Sequence, residues 1–327
     1  MQRRTLITRA AASAWALGLT CPAARAQAAF PQRALRIVVP FGAGGVADLT
    51  VRAVGAALAD ALAQPVIVDN RPGAGGVVAG ETVARAEPDG HTLLLISNGT
   101  AVSASLFRSL PFNPRTDFAP ISLLGTFEIA LVVPDASPHR SLQELLAWAR
   151  AKPQQLNIGT VNVGSTQHLA AALLCQEASL PAQVVPYNGT PALLQALRGG
   201  QVDLAVEILA PLKPQLAART VRLLAVMGES RVAEHPQVPA VRELPGLGKL
   251  QVSSWNALAA PARTPAAVID RLHREVIAVL AQRATVDRLA ALGVQARAST
   301  PQQLSQWLDA EIRRWSGVIA AAGIARQ

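Results

Sequence analysis

LRIVVPFGAGGVADLT, residues 35–50, runs from an apolar stretch through a glycine-rich turn into the start of an amphipathic pattern. Leu35 to Val39 is suited to a strand covered on both faces, and Gly42, Gly44 and Gly45 free the backbone to turn sharply. Val51, Val54, Leu58, Ala61 and Leu62 then recur at helical spacing, which predicts a helix over 46–63 with one core-facing stripe. The first amides of such a helix have no intrahelical acceptors and carry the positive end of the helix dipole, so the turn is a seat for an anion. Gly42, Gly44 and Ala47 also match the relaxed G-x-G-x-x-A dinucleotide fingerprint, with Asp69 at the end of the next strand where an acid would hold a ribose. Pyrophosphate and carboxylate both suit such a turn.

Outward from this stretch the pattern repeats. Val66 to Val68 reads as a strand, 69–76 as a second glycine-rich turn leading into a helix to about Ala86, and His91 to Ser97 as a strand ending in a polar loop, Asn98-Gly99-Thr100. This β-α-β-α-β order predicts an open parallel α/β sheet. Between Phe112 and Pro134 two extended runs, 121–124 and 129–133, have no helix between them, as suits a crossing between domains. Ser141 with Glu144 is a capping box that opens a helix. A second α/β unit follows: strand 156–160, polar loop 161–165, helix 166–178, strand 183–185, turn 186–189, a helix capped by Thr190 with Pro191 in its first turn, strand 202–206 with Glu207 at its carboxyl end, and strand 221–226. Residues 228–251 read as irregular and 252–259 as the chain crossing back. Thr264-Pro265 and Thr300-Pro301 each cap a helix, the last with an apolar stripe of Trp307, Ile312, Trp315 and Ile319. The expectation is two α/β domains, 27–128 with 252–327 and an inserted 129–251, joined by a two-segment hinge that closes over a ligand.

Residues 1–26 are expected to be a signal peptide: Arg3, Arg4 and Arg9 precede the apolar Ala10 to Leu19, and Ala24-Arg25-Ala26 is a small-x-small cleavage site. The RRTLI run fits a twin-arginine signal as well as the general secretory route, and either takes the chain to the periplasm. Gly18, three positions before Cys21, is not the usual lipoprotein Leu. Cleavage would remove four arginines and no acids and lower the formal charge from +9 to +5. That charge helps steer small anions, but the arginines form no run and are not interleaved with aromatics, so nucleic acid is not an expected partner. Only Cys175 would remain, leaving no intramolecular disulfide.

Chemistry-bearing constellations are sparse. No G-x-S-x-G elbow occurs, and Ser165 with His168 reads as a helix cap beside a packed histidine. The five histidines are dispersed with no ligand spacing, so neither a metal nor a cofactor is expected. Asp203 and Glu207, four apart on a strand, lie roughly 13 Å apart and form no acid pair. What recurs is a strand running into a Gly/Ser/Thr-rich loop and a helix start, at 41–46, 97–100, 161–166 and 186–190. Such carboxyl-end loops surround ligand crevices in α/β sheets.

Several stretches in order, among them VVPFGAGGVAD (38–48), QPVIVDNRPGAGG (64–76), EPDGHTLLLISNGT (87–100), GSTQHLAAALL (164–174), VPYNGTPALLQALRGGQVDLAV (185–206) and SSWNALAAPARTP (253–265), resemble the exported solute-binding proteins of tripartite tricarboxylate transporters, the Bug (Bordetella uptake gene) family. The resemblance implies a two-domain α/β periplasmic binding protein of type II, a Venus flytrap of two α/β sandwich domains. It would act as a monomer, catalyse no reaction, and deliver a small carboxylate to integral-membrane permease subunits. A sensor that hands its closed state to a membrane kinase and, further off, a nucleotide-dependent enzyme are the alternatives. Carried over residue by residue, the ligand-binding positions are Phe41, Gly44, Gly45, Asn98, Thr100, Ser165, Thr166, Tyr187, Asn188 and Gly189. Glu207-Ile208 stands where the family commonly has Asp-Asn, and Asn188 where Lys is common, so Glu207 joins the candidates and the far end of the ligand is expected to differ.

Overall fold

The computed structural model describes residues 30–327. In its first part, β1 (Leu35–Val39), α1 (Val46–Leu62), β2 (Val66–Asn70), α2 (Val77–Ala84), β3 (Thr92–Ser97) and α3 (Asn98–Leu106) lead into one long strand, β4 (Phe118–Pro134). Then come α4 (Leu142–Ala151), β5 (Asn157–Val161), α5 (Thr166–Glu177), β6 (Gln183–Tyr187), α6 (Thr190–Arg198), β7 (Leu204–Ile208), α7 (Leu209–Ala217) and β8 (Val221–Val226). The chain closes with β9 (Ser253–Pro261), α8 (Ala266–Leu280), α9 (Arg283–Ala291), β10 (Gln295–Ala296) and α10 (Pro301–Ala321).

The strands join in the order β2-β1-β3-β9-β4-β7-β5-β6, with β8 and β10 both pairing β4. The expected parallel trio β2-β1-β3 is present, but the next neighbour, β9, is antiparallel to β3, so the sheet is mixed. The two extended runs expected between 121 and 133 are a single 17-residue strand. Its residues 118–128 pair with β9, and its residues 129–134 with β7 and β8. Gly125 permits this continuity beside β10, because a Cβ there would lie 2.7 Å from the Gln295 carbonyl oxygen. Strands β1, β3, β4, β7 and β9 are almost wholly buried, as their apolar runs require of sheets with both faces covered. Helix α10 packs its stripe on α3 and α5, with Trp315 fully buried in a core shared with Leu94, Leu169 and Leu204.

Four local expectations are corrected. Asn98-Gly99-Thr100 is the first turn of α3, since Ser97 caps it through a bond from the Gly99 amide (3.2 Å) while Thr100 Oγ1 accepts from the Ser97 amide (3.2 Å). The helix α7 was masked by Pro211 and Pro214: a proline in the first turn costs no hydrogen bond, and one further in forfeits only one. Thr190 is not a cap. Gly189 precedes α6, and the Thr190 hydroxyl turns instead to Glu207. Thr264 likewise leaves the start of α8 to Pro265, whereas Thr300 with Gln303 does form its capping box. Residues 1–26, read as a signal peptide, lie outside the described residues.

Candidate ligand cleft

At the carboxyl ends of the strands the helices α1, α3, α5, α6 and α7 begin, and residues of their first turns line one cleft of about 790 Å³. Each contributes for a local reason. Asp48, on the first turn of α1, is 1 % exposed and folds back on its own loop: Oδ2 accepts from the Gly44 amide (2.8 Å) and from Arg52 Nε (3.0 Å), and Oδ1 from Asn70 Nδ2 (2.9 Å). Burial alone would push its carboxyl up, but Arg52, the Gly44 amide and Asn70 outweigh it and hold Asp48 below the usual carboxylate range. Gly44 sits at φ +83°, which a side chain would strain. Its amide is therefore spent on the turn. Val46 and Ala47, past the uncapped N-cap Gly45, also line the cleft, and their amides precede the first intrahelical bond. The helix-start amides of the opening stretch that border the cleft therefore lie one to two residues beyond its glycines.

The second loop is braced in the same manner. Ser165 caps α5 by accepting from the His168 amide (3.1 Å) and donates its hydroxyl to the Val161 carbonyl, so that hydroxyl is used up. His168 Nδ1 accepts from the Gly164 amide (3.3 Å), and burial pushes its pKa down, so the ring is a neutral brace. The Tyr187 carbonyl accepts from the Asn162 amide (2.9 Å). Thr166 and Gln167, at the start of α5, face the cleft.

Glu207 is 1 % exposed at the end of β7. Its Oε1 accepts from Gln167 Nε2 (2.6 Å) and the Ile208 amide (2.7 Å), and its Oε2 from Thr190 Oγ1 (2.8 Å). Burial pushes this carboxyl up, and the three donors act against the shift. Glu207 thereby fixes the Gln167 and Thr190 side chains at one wall. Across the cleft, Asn98 Nδ2 donates to Thr166 Oγ1 (3.1 Å) and to the Ser253 carbonyl (3.3 Å), and Thr166 Oγ1 lies 3.5 Å from Ser254 Oγ. These bonds tie α3, α5 and the start of β9 together.

Of the positions expected from the sequence, Phe41, Gly44, Gly45, Asn98, Ser165, Thr166 and Glu207 line the cleft. Thr100, Tyr187, Asn188 and Gly189 are not among its lining residues: Thr100 closes the α3 cap, and the Tyr187–Gly189 turn supports the neighbouring loop. Val46, Ala47, Gln167, Thr190, Ser254 and Asn256 also line the cleft without being among the carried-over ligand-binding positions; Ala47 figures in the sequence only through the dinucleotide fingerprint, and Thr190 as an expected cap. Ser254 and Asn256 carried a signal, since they are polar residues two apart, hence on one face, of a strand that is apolar from Ala257 onward. Asp69, the candidate ribose partner, faces Arg71 (3.1 Å) and Arg36 (3.5 Å) and does not line the cleft.

The electrostatics are distinctive. Among the described lining residues no side chain is Lys, Arg or His, and Glu207 is the lone ionisable one. The fixed positive potential at the cleft is that of the helix N-termini whose first turns reach its lining. Val102, Leu106, Phe107, Phe127, Val161 and Leu292 supply an apolar wall, and Phe41 and Val163 stand exposed at two lips. Among the described residues no group of His, Cys, Asp and Glu is placed to hold a metal ion, and no helix is long and apolar enough to cross a membrane.

Comparison with known proteins places this geometry. The model of the tripartite tricarboxylate transporter family receptor matches residues 50–324. Protein BugT of Bordetella pertussis is 33 % identical over 296 residues, covering 90 % of this chain and 90 % of its own. Among solved structures, R. palustris Rpa4515 with adipate superposes with a TM-score of 0.80 at 31 % identity, covering 91 % of this chain and 99 % of its own. MatC from Rhodopseudomonas palustris with bound malate gives 0.75 at 34 % identity, covering 89 % of this chain and 100 % of its own. The chain belongs to the Bug/TctC family of periplasmic solute-binding proteins, receptors of tripartite tricarboxylate transporters.

Proposed function

We propose that this protein is a periplasmic receptor that captures a small organic carboxylate by closing two domains over it and presents it to an integral-membrane permease, with no chemical step. The observation that carries the reading is the meeting of five helix N-termini, those of α1, α3, α5, α6 and α7, at a cleft whose described lining has no cationic side chain. Backbone amides fixed by the fold bind an anion without the desolvation cost of a buried Lys or Arg. In this reading the carboxylate is held by the Val46 and Ala47 amides, with Gly44 and Gly45 shaping the turn, and by the start of α5 at Thr166 and Gln167. Ser165, Thr100, Tyr187, Asn188 and Gly189 act one layer back, and Phe41 closes as a lip. The acid-binding relatives, one with adipate and one with malate, support the ligand class.

The domains of the proposal are 27–128 with 252–327, and 129–251. The change of partner along β4 between Glu128 and Ile129, and the return of the chain at Val252, whose amide donates to Met227, support that division. Ligand shifts an open–closed equilibrium by binding the closed form better. The test is thermal unfolding of the purified protein against a panel of mono-, di- and tricarboxylates. A true ligand at 100 times its Kd should stabilise by about 2.7 kcal/mol. No shift with any carboxylate would refute the reading.

A further inference from the structure

Two side-chain amides in the cleft wall carry polar atoms without partners. Asn98 and Asn256 are each 1 % exposed and line the cleft, close together because Asn98 opens α3 directly after Ser97, whose partner across the sheet is Asn256. Asn98 spends its Nδ2 on the Ser253 carbonyl and on Thr166 Oγ1, and its Oδ1 has no partner. A carbonyl can only accept, so the amide must face Ser253 with its nitrogen, and the free atom of Asn98 is an acceptor. Asn256 leaves both Nδ2 and Oδ1 unpaired. The wall therefore offers one donor and two acceptors, all buried. An ionised carboxylate is acceptor-only and can satisfy the donor alone. Buried polar atoms are costly when unmet.

Resting on the carboxylate reading above, we propose that the ligand carries a hydrogen-bond donor as well as a carboxylate, a hydroxyl or an amino group, and that Asn98 Oδ1 and Asn256 select for it. The site thus discriminates hydroxy and amino acids from the unsubstituted acids of the same skeleton. Sites built to hydrogen-bond a group reject analogues that lack it, because their own polar atoms are then stranded. The neighbouring hydroxyls of Thr166 and Ser254 do not relieve the two acceptors: neither makes a hydrogen bond to either free oxygen.

The test is calorimetric titration of the purified protein with matched sets: butanoate with 2-hydroxy- and 2-aminobutanoate, succinate with 2-hydroxy- and 2-aminosuccinate, and hexanedioate with its 2-hydroxy and 2-amino derivatives. Within whichever skeleton binds, one substituted member is expected to bind at least tenfold tighter than the unsubstituted acid, about 1.4 kcal/mol. Whether the hydroxyl or the amine gains identifies the donor. In Asn256→Ala or Asn98→Ala the ratio should collapse to within about twofold, and the two variants are alternatives should one fail to fold. Equal or tighter binding of the unsubstituted acid by the parent protein, as a water satisfying both acceptors would produce, overturns the inference while leaving carboxylate capture intact. Binding of none of the nine compounds, together with no response to the wider acid panel, would instead overturn the carboxylate reading itself.

Discussion

Glu128 is the most informative residue to perturb outside the cleft. It lies in β4 at the point where pairing passes from β9 to β7 and β8, and its carboxyl fills the space that a side chain on Gly228 would need. Oε2 is buried without a partner. Burial pushes the carboxyl from its ordinary 4.5 up to about 7, against a smaller opposing effect of the Gly228 amide. A carboxyl whose folded value lies above its unfolded value favours the fold when protonated. Its contribution is fully present below about pH 4.5 and is lost as pH rises to about 7. At about 1.36 kcal/mol per unit, the loss amounts to about 3 kcal/mol. Glu128→Gln, which keeps the shape of the neutral acid, should therefore change the unfolding free energy little at pH 4 and raise it relative to the parent by about 3 kcal/mol at pH 8. Urea denaturation of both proteins at half-unit steps of pH reads this difference, with equal m-values as the check that the unfolded states match. The other buried acids with raised values, Glu207 and Glu311, are common to both chains and cancel. A difference that stays flat from pH 4 to 8 would refute the reasoning.

Val46→Pro isolates one donor of the proposed anion seat. Val46 is the first residue of α1, where proline is tolerated, and Gly45 before it has φ −78° and ψ 165°, the extended geometry that a following proline requires. The substitution should weaken carboxylate binding by about tenfold to a hundredfold, as for a lost charge-assisted bond, while the melting temperature of the free protein changes little. Unchanged affinity in calorimetry would remove that amide from the site. Export can be checked directly: mass spectrometry of the protein from the periplasmic fraction should give a chain beginning at Gln27, and a chain retaining Met1 would exclude the cleavage.

The α/β units were legible because their strands are uninterrupted apolar runs and their helices keep one stripe, as in Leu35–Val39 and Val51 to Leu62. What escaped has physical reasons. Glu128 and Gly125 interrupt the apolar pattern of β4, so pattern reading divides a strand that the backbone continues. Asn98-Gly99-Thr100 has loop composition, yet a cap needs such residues, and the difference lies in which atoms bond. The glycine turn pointed to the end of the sheet at which the cleft opens, but Asp48, only four residues on, claims the Gly44 amide. Sequence order does not show which donors a neighbouring acid has already taken. The same holds for Ser165, whose hydroxyl is spent on its own loop, and for Glu207, whose three donors make it a positioning group at the wall.

A single strand supplying one flank to both halves of the sheet has a consequence for the chain's tolerance of change. Because side chains alternate along a strand between its bulges, the facings of residues on either side of Glu128, from Gly125 to Leu131, are counted off from one another. An added or deleted residue near Glu128 that no bulge absorbed would leave each half locally intact yet exchange the side chains facing its two covered layers in one of them. The two halves are thus in step through the parity of one strand, and this segment can vary in side chain far more readily than in length.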